Sequence, residues 1–588
     1  VNTAALTADL PRSRAPVRTA ETIRVAQQRL IFLMTAFALV TAVISARLLW
    51  LAVSNFRDGG TSVAAVGPRG MITDRNGIVL ASTIKNWSIG IFPNEIIGDR
   101  DHLAAELARI IPGKTQDQYR ALLNPRKTKP RKDGKPTRGP FVYLKRNAVP
   151  EMVSAINTLG EPAFQLGRES ERFYPQGTLA AQVLGYLDLD GKTPVSGMEA
   201  SLQKELTTRN GAPVALSIDS RVQAAMESAL YAQMVKHSAV GAAGIVLDVR
   251  TGEVLAMASL PTFNPNAPGR TPVSQDERQP DARFNRAIKS VFELGSTFKM
   301  ITVANAIEKG VITDMGRRYD ATAPLVVGGF KIRDDHPQNR WMSVPDILIH
   351  SSNIGTARIA DELGQERTSH FFRELGFDKP VDIELRGAAK PIWPGFWART
   401  TVMTTAYGHG IAVTPLHLAN AYAALVNGGT FRNATMMKVE PGAQVPGRRV
   451  ISEATSARMR QMMRLVVTKG TGKAANVEGL RVGGKTGTAE KNLHGRYIHN
   501  SLLVTFAAVF PMDQPRYVLI GTLDEPHGTA DTYGFRTAAW TVAPAIKKVI
   551  ARIGPLLGVM PDASRDVDVA DLTPYIYEDK KHASEAPD

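Results

Sequence analysis

Seventeen consecutive residues without a charge, Leu30 to Ala46 (LIFLMTAFALVTAVISA), constrain this chain more than any other feature. A helix of about 20 apolar residues crosses the hydrocarbon core of a bilayer. Arg47 interrupts the run and LLWLAV continues it, so Arg47 is placed to snorkel toward the interface and Trp50 to join an interfacial belt. A buried core helix is one alternative reading. Arg12, Arg14, Arg18, Arg24 and Arg29 precede the run, opposed only by Asp9 and Glu21. The positive-inside rule then puts residues 1–29 in the cytoplasm, an anchor at 30–53 and everything after about residue 55 outside. A cleaved signal peptide is the competing reading, but its apolar region usually runs about 7–15 residues.

The exported part must be globular. Of 588 residues, 44% are hydrophobic and 21% charged, a balance that excludes wholesale disorder and a polytopic membrane protein. Cysteine is absent, which removes disulfides, thiolate metal sites, iron–sulfur clusters and cysteine nucleophiles together. The net charge of +16 suits an anionic partner. Its densest cluster, Arg126–Arg138 (RKTKPRKDGKPTR), carries Pro and Gly and no aromatic, and reads as a solvated loop. Export and the lack of any RNA- or DNA-reading motif leave nucleic acid out of the partner list.

Two folded parts follow the anchor. In GPRGMITDRNGIVLAS (67–82) the Asp-Arg-Asn-Gly turn signal predicts a hairpin. Helical periodicity covers about 99–125, FVYLKRNAV reads as a strand, and GMEASLQKEL from Gly197 opens a helix; 55–213 is thus a mixed, extended, non-catalytic module. From 214 to 555 the pattern changes. AAGIVLDVRTGEVLAMASLP (242–261) is a hairpin joined by Thr251-Gly252, helices dominate from about 296 to 470, and strands return at 501–511 and 516–526 before a helix near 536–553. Two β-rich ends around a helical middle predict an α+β domain: one discontinuous antiparallel sheet with an all-α lobe inserted. The polar stretch 556–588 reads as a mobile tail.

Three motifs carry chemistry. The first is Ser296-Thr297-Phe298-Lys299, after Phe292-Glu293-Leu294-Gly295 and at the start of an apolar helical run. Positions i and i+3 share a helix face, so Lys299 can reach Ser296 and take its proton if burial or a neighbouring cation lowers its pKa. Ser82/Lys85 and Ser201/Lys204 match the same spacing without a Gly turn into a buried helix, so context selects Ser296. The second is Ser351-Ser352-Asn353, the only Ser-x-Asn of the chain. Its hydroxyl can relay a proton and its amide can hold a carbonyl, although alone it reads equally as a helix-capping loop. The third is Lys485-Thr486-Gly487-Thr488. Gly479 stands at Walker spacing from Gly484-Lys485-Thr486, but strands follow where a phosphate loop needs a helix. On a strand, Lys485 supplies positive potential, Thr486 and Thr488 can bind a carboxylate, and Gly487 lets a substrate backbone lie close.

Together the three motifs, spaced by 55 and 134 residues, resemble the Ser-x-x-Lys, Ser-x-Asn and Lys-Thr-Gly set of penicillin-recognising serine enzymes. RGMITDRNG, RFYPQGTLAAQVLGY, GMEASL, FELGSTFK, SSNIG, GHGIAVTPLHLANAYA and GGKTGTAEK stand in the order of a class B penicillin-binding protein, and the likeness covers nearly all of the chain. It is most similar to the division-specific branch of Gram-negative bacteria; the rod-elongation branch is the alternative. The resemblance implies a pedestal or dimerisation module at 55–213 and, at 214–555, a transpeptidase domain whose five-stranded antiparallel sheet is flanked by helices. It implies Ser296 as nucleophile, Lys299 as its base, Ser351 and Lys485 in the proton network, Asn353 on the donor amide, and Thr486 and Thr488 on the terminal carboxylate. The backbone N–H groups of Ser296 and Thr488 would form the oxyanion hole. A stem peptide ending in D-Ala-D-Ala would be the donor and an amine of a neighbouring stem the acceptor, giving a 4→3 cross-link. β-Lactams would acylate Ser296. The implied partners are a membrane-embedded SEDS-type glycan polymerase and other division proteins at the septum; no cofactor or metal is implied. A β-lactam hydrolase or sensor would need a deacylating Glu, which does not stand out, and an idle scaffold would not need the full motif set. Three features depart from the family pattern. Leu294 stands where Pro is usual, His409 where an aromatic or Gln is commoner, and the Arg126–Arg138 loop has no family role. His417, His499 and His527 fit no metal spacing and read as structural or surface residues.

Overall fold

The computed structural model describes residues 18–57, 69–125, 139–188, 191, 193–208, 211–274, 280–493 and 496–577. Residues 1–17, the Arg126–Arg138 loop and 578–588 lie outside the described residues, as do the side chains of Trp50 and His499. The chain divides into two compact units, Val1–Gly67 and Pro68–Asp588.

The first unit holds one helix, Arg18–Arg57. Within it Gln27–Arg47, 21 residues of mean hydropathy 2.0, has no buried residue. At 1.5 Å per residue this segment is about 31 Å long, which matches the hydrocarbon thickness of a bilayer. Thr35 and Thr41 return their hydroxyls to the carbonyls of Ile31 and Phe37, so these two polar groups inside the apolar stretch are satisfied within the helix.

The second unit begins with the hairpin at Asp74. Its Oδ1 accepts the backbone N–H groups of Asn76 and Ile78 at 2.8 and 2.9 Å, which closes the turn between strands Ile72–Thr73 and Val79–Ile91. Val79–Ile91 pairs antiparallel with Phe164–Phe173 along its length and with Val142–Ala148 at its C-terminal half, while Ile72–Thr73 pairs in parallel with Val214–Ala215. Helices Arg100–Ile110, Gln116–Leu123 and Pro150–Thr158 contribute Leu103, Leu107, Tyr119, Leu123 and Ile156 to a core against this sheet. At its other end Glu199 is fully buried and bonds Arg172 Nε and Arg69 Nε, each at 2.6 Å. The two guanidiniums compensate the carboxylate's desolvation, and removal of one partner leaves a buried charge.

The larger sheet runs in the spatial order Gly483–Leu493, Arg496–Phe510, Tyr517–Asp524, Gly241–Asp248, Val254–Leu260, with every neighbour antiparallel. Alternation along each strand assigns its faces. Ala243, Ile245 and Leu247 pack into one core with Val518 and Ile520; Ala242 and Val246 point the other way, toward Leu519 and Leu523. Helices Ser220–Lys236 and Val542–Leu556 cover the second face through Met226, Leu230, Ile546 and Ile550. Helices Phe298–Glu308 and Pro415–Val426 belong to the core of the first face, which holds Phe298, Tyr422 and the tilted ring pair Phe298–Phe377.

Two expectations are corrected. The inserted lobe is not all-α. It carries two-stranded ribbons at 318–321 with 340–343, 325–327 with 330–332, and 430–431 with 448–449. Strands of two to four residues are too short to leave an alternation that periodicity can register. Nor is 557–577 a free tail. Leu572 is fully buried. Arg464 grips Asp566 through Nε and Nη2 at 2.7 and 2.6 Å, and the Tyr575 carbonyl accepts the Ser343 hydroxyl at 2.6 Å. Leu572, with Val567, Val569 and Ile576 packed against the same core, and a ladder of acidic contacts fix the segment, although its average composition is polar.

Candidate active site

The first core delivers a serine and two lysines to one point. Leu294 enters a 3₁₀ turn at Gly295–Thr297 that runs into helix Phe298–Glu308. Gly295 has φ +56°, and a Cβ on it would stand 2.6 Å from the Thr488 carbonyl, so only glycine fits between the turn and the strand. The turn is tied twice more: Thr297 Oγ1 donates to the Leu294 carbonyl at 2.9 Å, and the buried Tyr422 hydroxyl donates to the Thr297 carbonyl at 2.8 Å. These ties hold Ser296 at the head of the helix, half-buried, with Lys299 one turn below and fully buried.

Lys299 Nζ donates to Ser296 Oγ at 2.9 Å, to the Ser351 carbonyl at 2.5 Å and to Ser351 Oγ at 3.1 Å. Lys485, also fully buried, donates to the same Ser351 Oγ at 2.9 Å, and to the carbonyl and hydroxyl of Thr486 at 3.1 and 3.2 Å. Burial pulls the pKa of Lys299 down to about 7, opposed by the carboxylates of Asp334 and Asp335. Burial and the neighbouring Lys299 charge hold Lys485 well below the ordinary lysine value. Two ammonium groups on one hydroxyl repel each other in a low-dielectric site, so the pair titrates as a unit. A lysine of this kind, 2.9 Å from a hydroxyl, can take its proton near neutral pH.

Ser351 lies at φ +60° in the tight turn between helices Val344–Ile349 and Asn353–Glu374. Ser352 caps the second helix, its Oγ accepting Gly355 N–H at 3.0 Å, and in turn donates to Asp334 Oδ2 at 2.8 Å. Asn353 Nδ2 donates to the Arg333 carbonyl at 2.8 Å. Strand Gly483–Leu493 is the outer strand of the sheet, so its far edge is free to pair with an extended chain.

The hydrogen-bonded cluster among the described residues therefore joins Ser296, Lys299, Ser351, Lys485 and Thr486. Asn353 and Thr488 bond elsewhere: Thr488 Oγ1 accepts the Ala538 N–H at 3.4 Å. Gly487 has a different reason from the one expected of it. A Cβ there would stand 2.4 Å from the Leu294 carbonyl, so its close neighbour is the nucleophile turn. Three contributors escaped sequence reasoning. Thr471 shares a 3.0 Å hydroxyl contact with Thr486, Asp334 holds the Ser352 turn, and Tyr422 holds the Ser296 turn. Thr471 and Asp334 stand in no motif, and Tyr422 lies within GHGIAVTPLHLANAYA without a role that the letters suggest; their position in space marks them.

Beside the cluster, Glu293 gathers the loop that carries His409. Its carboxylate accepts Gly410 N–H and the Tyr497 hydroxyl at 3.0 Å each, and His409 Nδ1 lies 3.0 Å away. Glu293, Gly410 and Tyr497 border a cavity of about 480 Å³ that also includes Lys491, Asn492 and Ile411. His417 is buried with both nitrogens engaged, to Thr414 and to the Lys379 carbonyl, and burial pushes its pKa down to about 4. It closes a helix cap.

A serine with a buried lysine on each side of a second hydroxyl, at the edge strand of an antiparallel sheet, defines a serine acyl-transfer site of the penicillin-recognising kind. The sequence matches the penicillin binding protein transpeptidase domain over residues 242–547 and the penicillin-binding protein dimerisation domain over 64–214, and the chain belongs to this family. Among curated relatives it is 37% identical to the probable peptidoglycan D,D-transpeptidase FtsI of Caulobacter vibrioides over 93% of this chain and 91% of that one. It is 31% identical to the peptidoglycan D,D-transpeptidase FtsI of Escherichia coli over 84% of each. The fold is similar to crystal structures of penicillin binding protein 3 from Mycobacterium tuberculosis. The aztreonam complex has a TM-score of 0.63 at 26% identity and covers 84% of this chain and 97% of that one. The ampicillin complex has a TM-score of 0.64 and covers 86% and 98%.

Proposed function

We propose that this chain is a peptidoglycan D,D-transpeptidase that cross-links stem peptides during septal wall synthesis. The observation that carries the reading is the 2.9 Å contact between Lys299 Nζ and Ser296 Oγ inside a site where both lysines are buried. In this reading Ser296 Oγ attacks the carbonyl of the D-Ala-D-Ala bond and its proton passes to Lys299. The oxyanion is met by the N–H groups of Ser296 and Thr488, a reading supported by the close approach of the Gly295 turn to Thr488. Ser351 Oγ, bonded to both lysines, returns a proton to the amine of the departing D-alanine as the C–N bond breaks. An amine of a second stem then attacks the acyl-serine, Lys299 takes its proton, and a 4→3 cross-link leaves Ser296 free. Asn353 orients the donor amide; Thr486 and Thr488 bind the terminal carboxylate, with Gly487 between them. β-Lactams enter the first half of the same path and stop at the acyl-enzyme.

The apolar helix supports a single-pass inner-membrane protein, with the N-terminus cytoplasmic and the catalytic part periplasmic. Residues 55–213 then serve as a non-catalytic module and 214–555 as the catalytic domain, working with a SEDS-type polymerase and other division proteins. Fluorescent penicillin tests the chemistry. Membranes carrying the parent label stably and those carrying Ser296→Ala do not; a folded parent that fails to label removes the reading. A fluorescent fusion tests the septal assignment, since lateral-wall signal throughout the cycle would transfer the protein to elongation.

A further inference from the structure

The turn that presents Ser351 and Asn353 is held from within by Ser352 N–H on the Ile347 carbonyl at 2.9 Å and by the Ser352 cap. Ser351 is in the left-handed region at φ +60°, which a non-glycine residue enters at a cost and keeps only where its surroundings fix it. A further tie comes from outside the turn. Asp334, which is buried, accepts Ser352 Oγ–H on Oδ2 at 2.8 Å and Ile354 N–H on Oδ1 at 3.0 Å. Its neighbour Arg333 accepts Asn353 Nδ2–H on the carbonyl at 2.8 Å. Two consecutive residues thus hold three consecutive residues of the turn.

The same carboxylate bears on Lys299. The charged groups acting on Lys299 are Asp334 and Asp335, and those acting on Lys485 are Lys299 and Asp335; both lysines meet on Ser351 Oγ. When a proton leaves Ser296 Oγ for Lys299 Nζ, a buried neutral amine becomes a buried cation next to a second lysine. Without a negative charge nearby, that step is opposed by both desolvation and repulsion.

We propose that Asp334 is a positioning residue of the reaction: it fixes the Ser351–Asn353 turn against both lysines and supplies the negative charge that stabilises the Lys299 ammonium formed when the Ser296 proton arrives. The inference rests on the reading of Ser296 as nucleophile and Lys299 as base. It assigns the two halves of the role to separable features, the hydrogen bonds and the charge.

Acylation by a penicillin, followed as a second-order rate constant from pH 5 to 9 on the full-length protein in detergent, tests it. Asp334→Asn keeps the size and an acceptor for Ile354 N–H but removes the charge. Its acid limb moves to lower pH by about half a unit or more, because Lys299 becomes harder to protonate. Its plateau falls about tenfold, because the lysine is then a weaker base. Ser352→Ala removes the bonds to Asp334 and Gly355 and no charge, so its plateau falls while the limb stays at the parent position. Thermal midpoints of both variants are read alongside. An Asp334→Asn limb that coincides with the parent's, whatever the plateau and midpoint do, overturns the inference. Ser296→Ala separates the two levels: if it still acylates, the reading of Ser296 fails; if it does not and the limb is unmoved, only the role of Asp334 fails.

Discussion

Lys485 Nζ lies 2.9 Å from Ser351 Oγ, a contact between residues 134 positions apart that closes the site across the sheet and the inserted lobe. The bond makes Ser351 common to both lysines, and in the proposed mechanism Ser351 carries the proton from Lys299 to the leaving group. Replacing Lys485 with Met removes one of the two amines that hold Ser351 Oγ. Acylation by penicillin should slow about a hundredfold or more, the range of a lost general acid–base group. Stopped-flow or gel-based acylation rates check this, with an unchanged circular dichroism spectrum as the folding control.

The pH dependence follows from Lys299. Its amine is the active form, and burial sets its pKa at about 7. Below that pH the lysine is protonated and acylation falls about tenfold per unit; above it the rate levels off. A rate–pH profile on the purified protein checks the sign. An acid limb centred near the ordinary lysine value, above pH 10, would remove Lys299 as the base.

Burial of Lys299 has a stability consequence of the opposite sense to its chemistry. Between pH 7 and the unfolded value near 10.4 the unfolded chain binds a proton that the native chain does not, so stability rises with pH across that window. At pH 7 and below, Lys299→Met removes a buried amine that desolvation penalises. Its thermal midpoint should equal or exceed the parent's while acylation is lost, as seen by scanning calorimetry beside a labelling assay.

Gly487→Ala places a Cβ 2.4 Å from the Leu294 carbonyl. The nucleophile turn must retreat from the strand, and a misplacement of that size costs about a hundredfold in rate. Stability should fall by about 1–3 kcal/mol, the usual range for overpacking. A rate loss no larger than the stability change would show that the turn and the strand move together.

Leu572→Ala tests whether the C-terminal segment belongs to the fold. A fully buried leucine in that segment costs about 2–5 kcal/mol when truncated. Denaturant unfolding of the full chain checks this; a change within about 0.5 kcal/mol would return the segment to the status of a free tail.

Much of the site was legible because its chemistry is local. Ser296 and Lys299 share a helix face by their i, i+3 spacing, and a lone Ser-x-Asn and a lone Lys-Thr-Gly leave few candidates to pair with them. The hairpin at Asp74 was legible for the same reason: its Asx turn lies within five residues. What escaped were contacts made by ordinary residues. Asp334 stands in KIRDDHPQNR and Thr471 in TKGTGKAA, where nothing in the neighbouring letters distinguishes them, and Tyr422 stands in GHGIAVTPLHLANAYA, whose letters give it no role at the Ser296 turn. The short ribbons of the lobe failed the periodicity test by length, and the C-terminal segment failed it by composition.

The amino-acid sequence by itself determined the long apolar helix, the cysteine-free globular body and the three motifs, because hydropathy, residue chemistry and i, i+3 spacing act over a few residues. Only the tertiary structure decided that both lysines meet on Ser351 Oγ, that Asp334 grips the turn between them, and that Gly487 faces the nucleophile turn. Those relationships join residues tens to hundreds of positions apart. Their energies come from burial and from charge in a low-dielectric interior, which exist only once the core has closed around them.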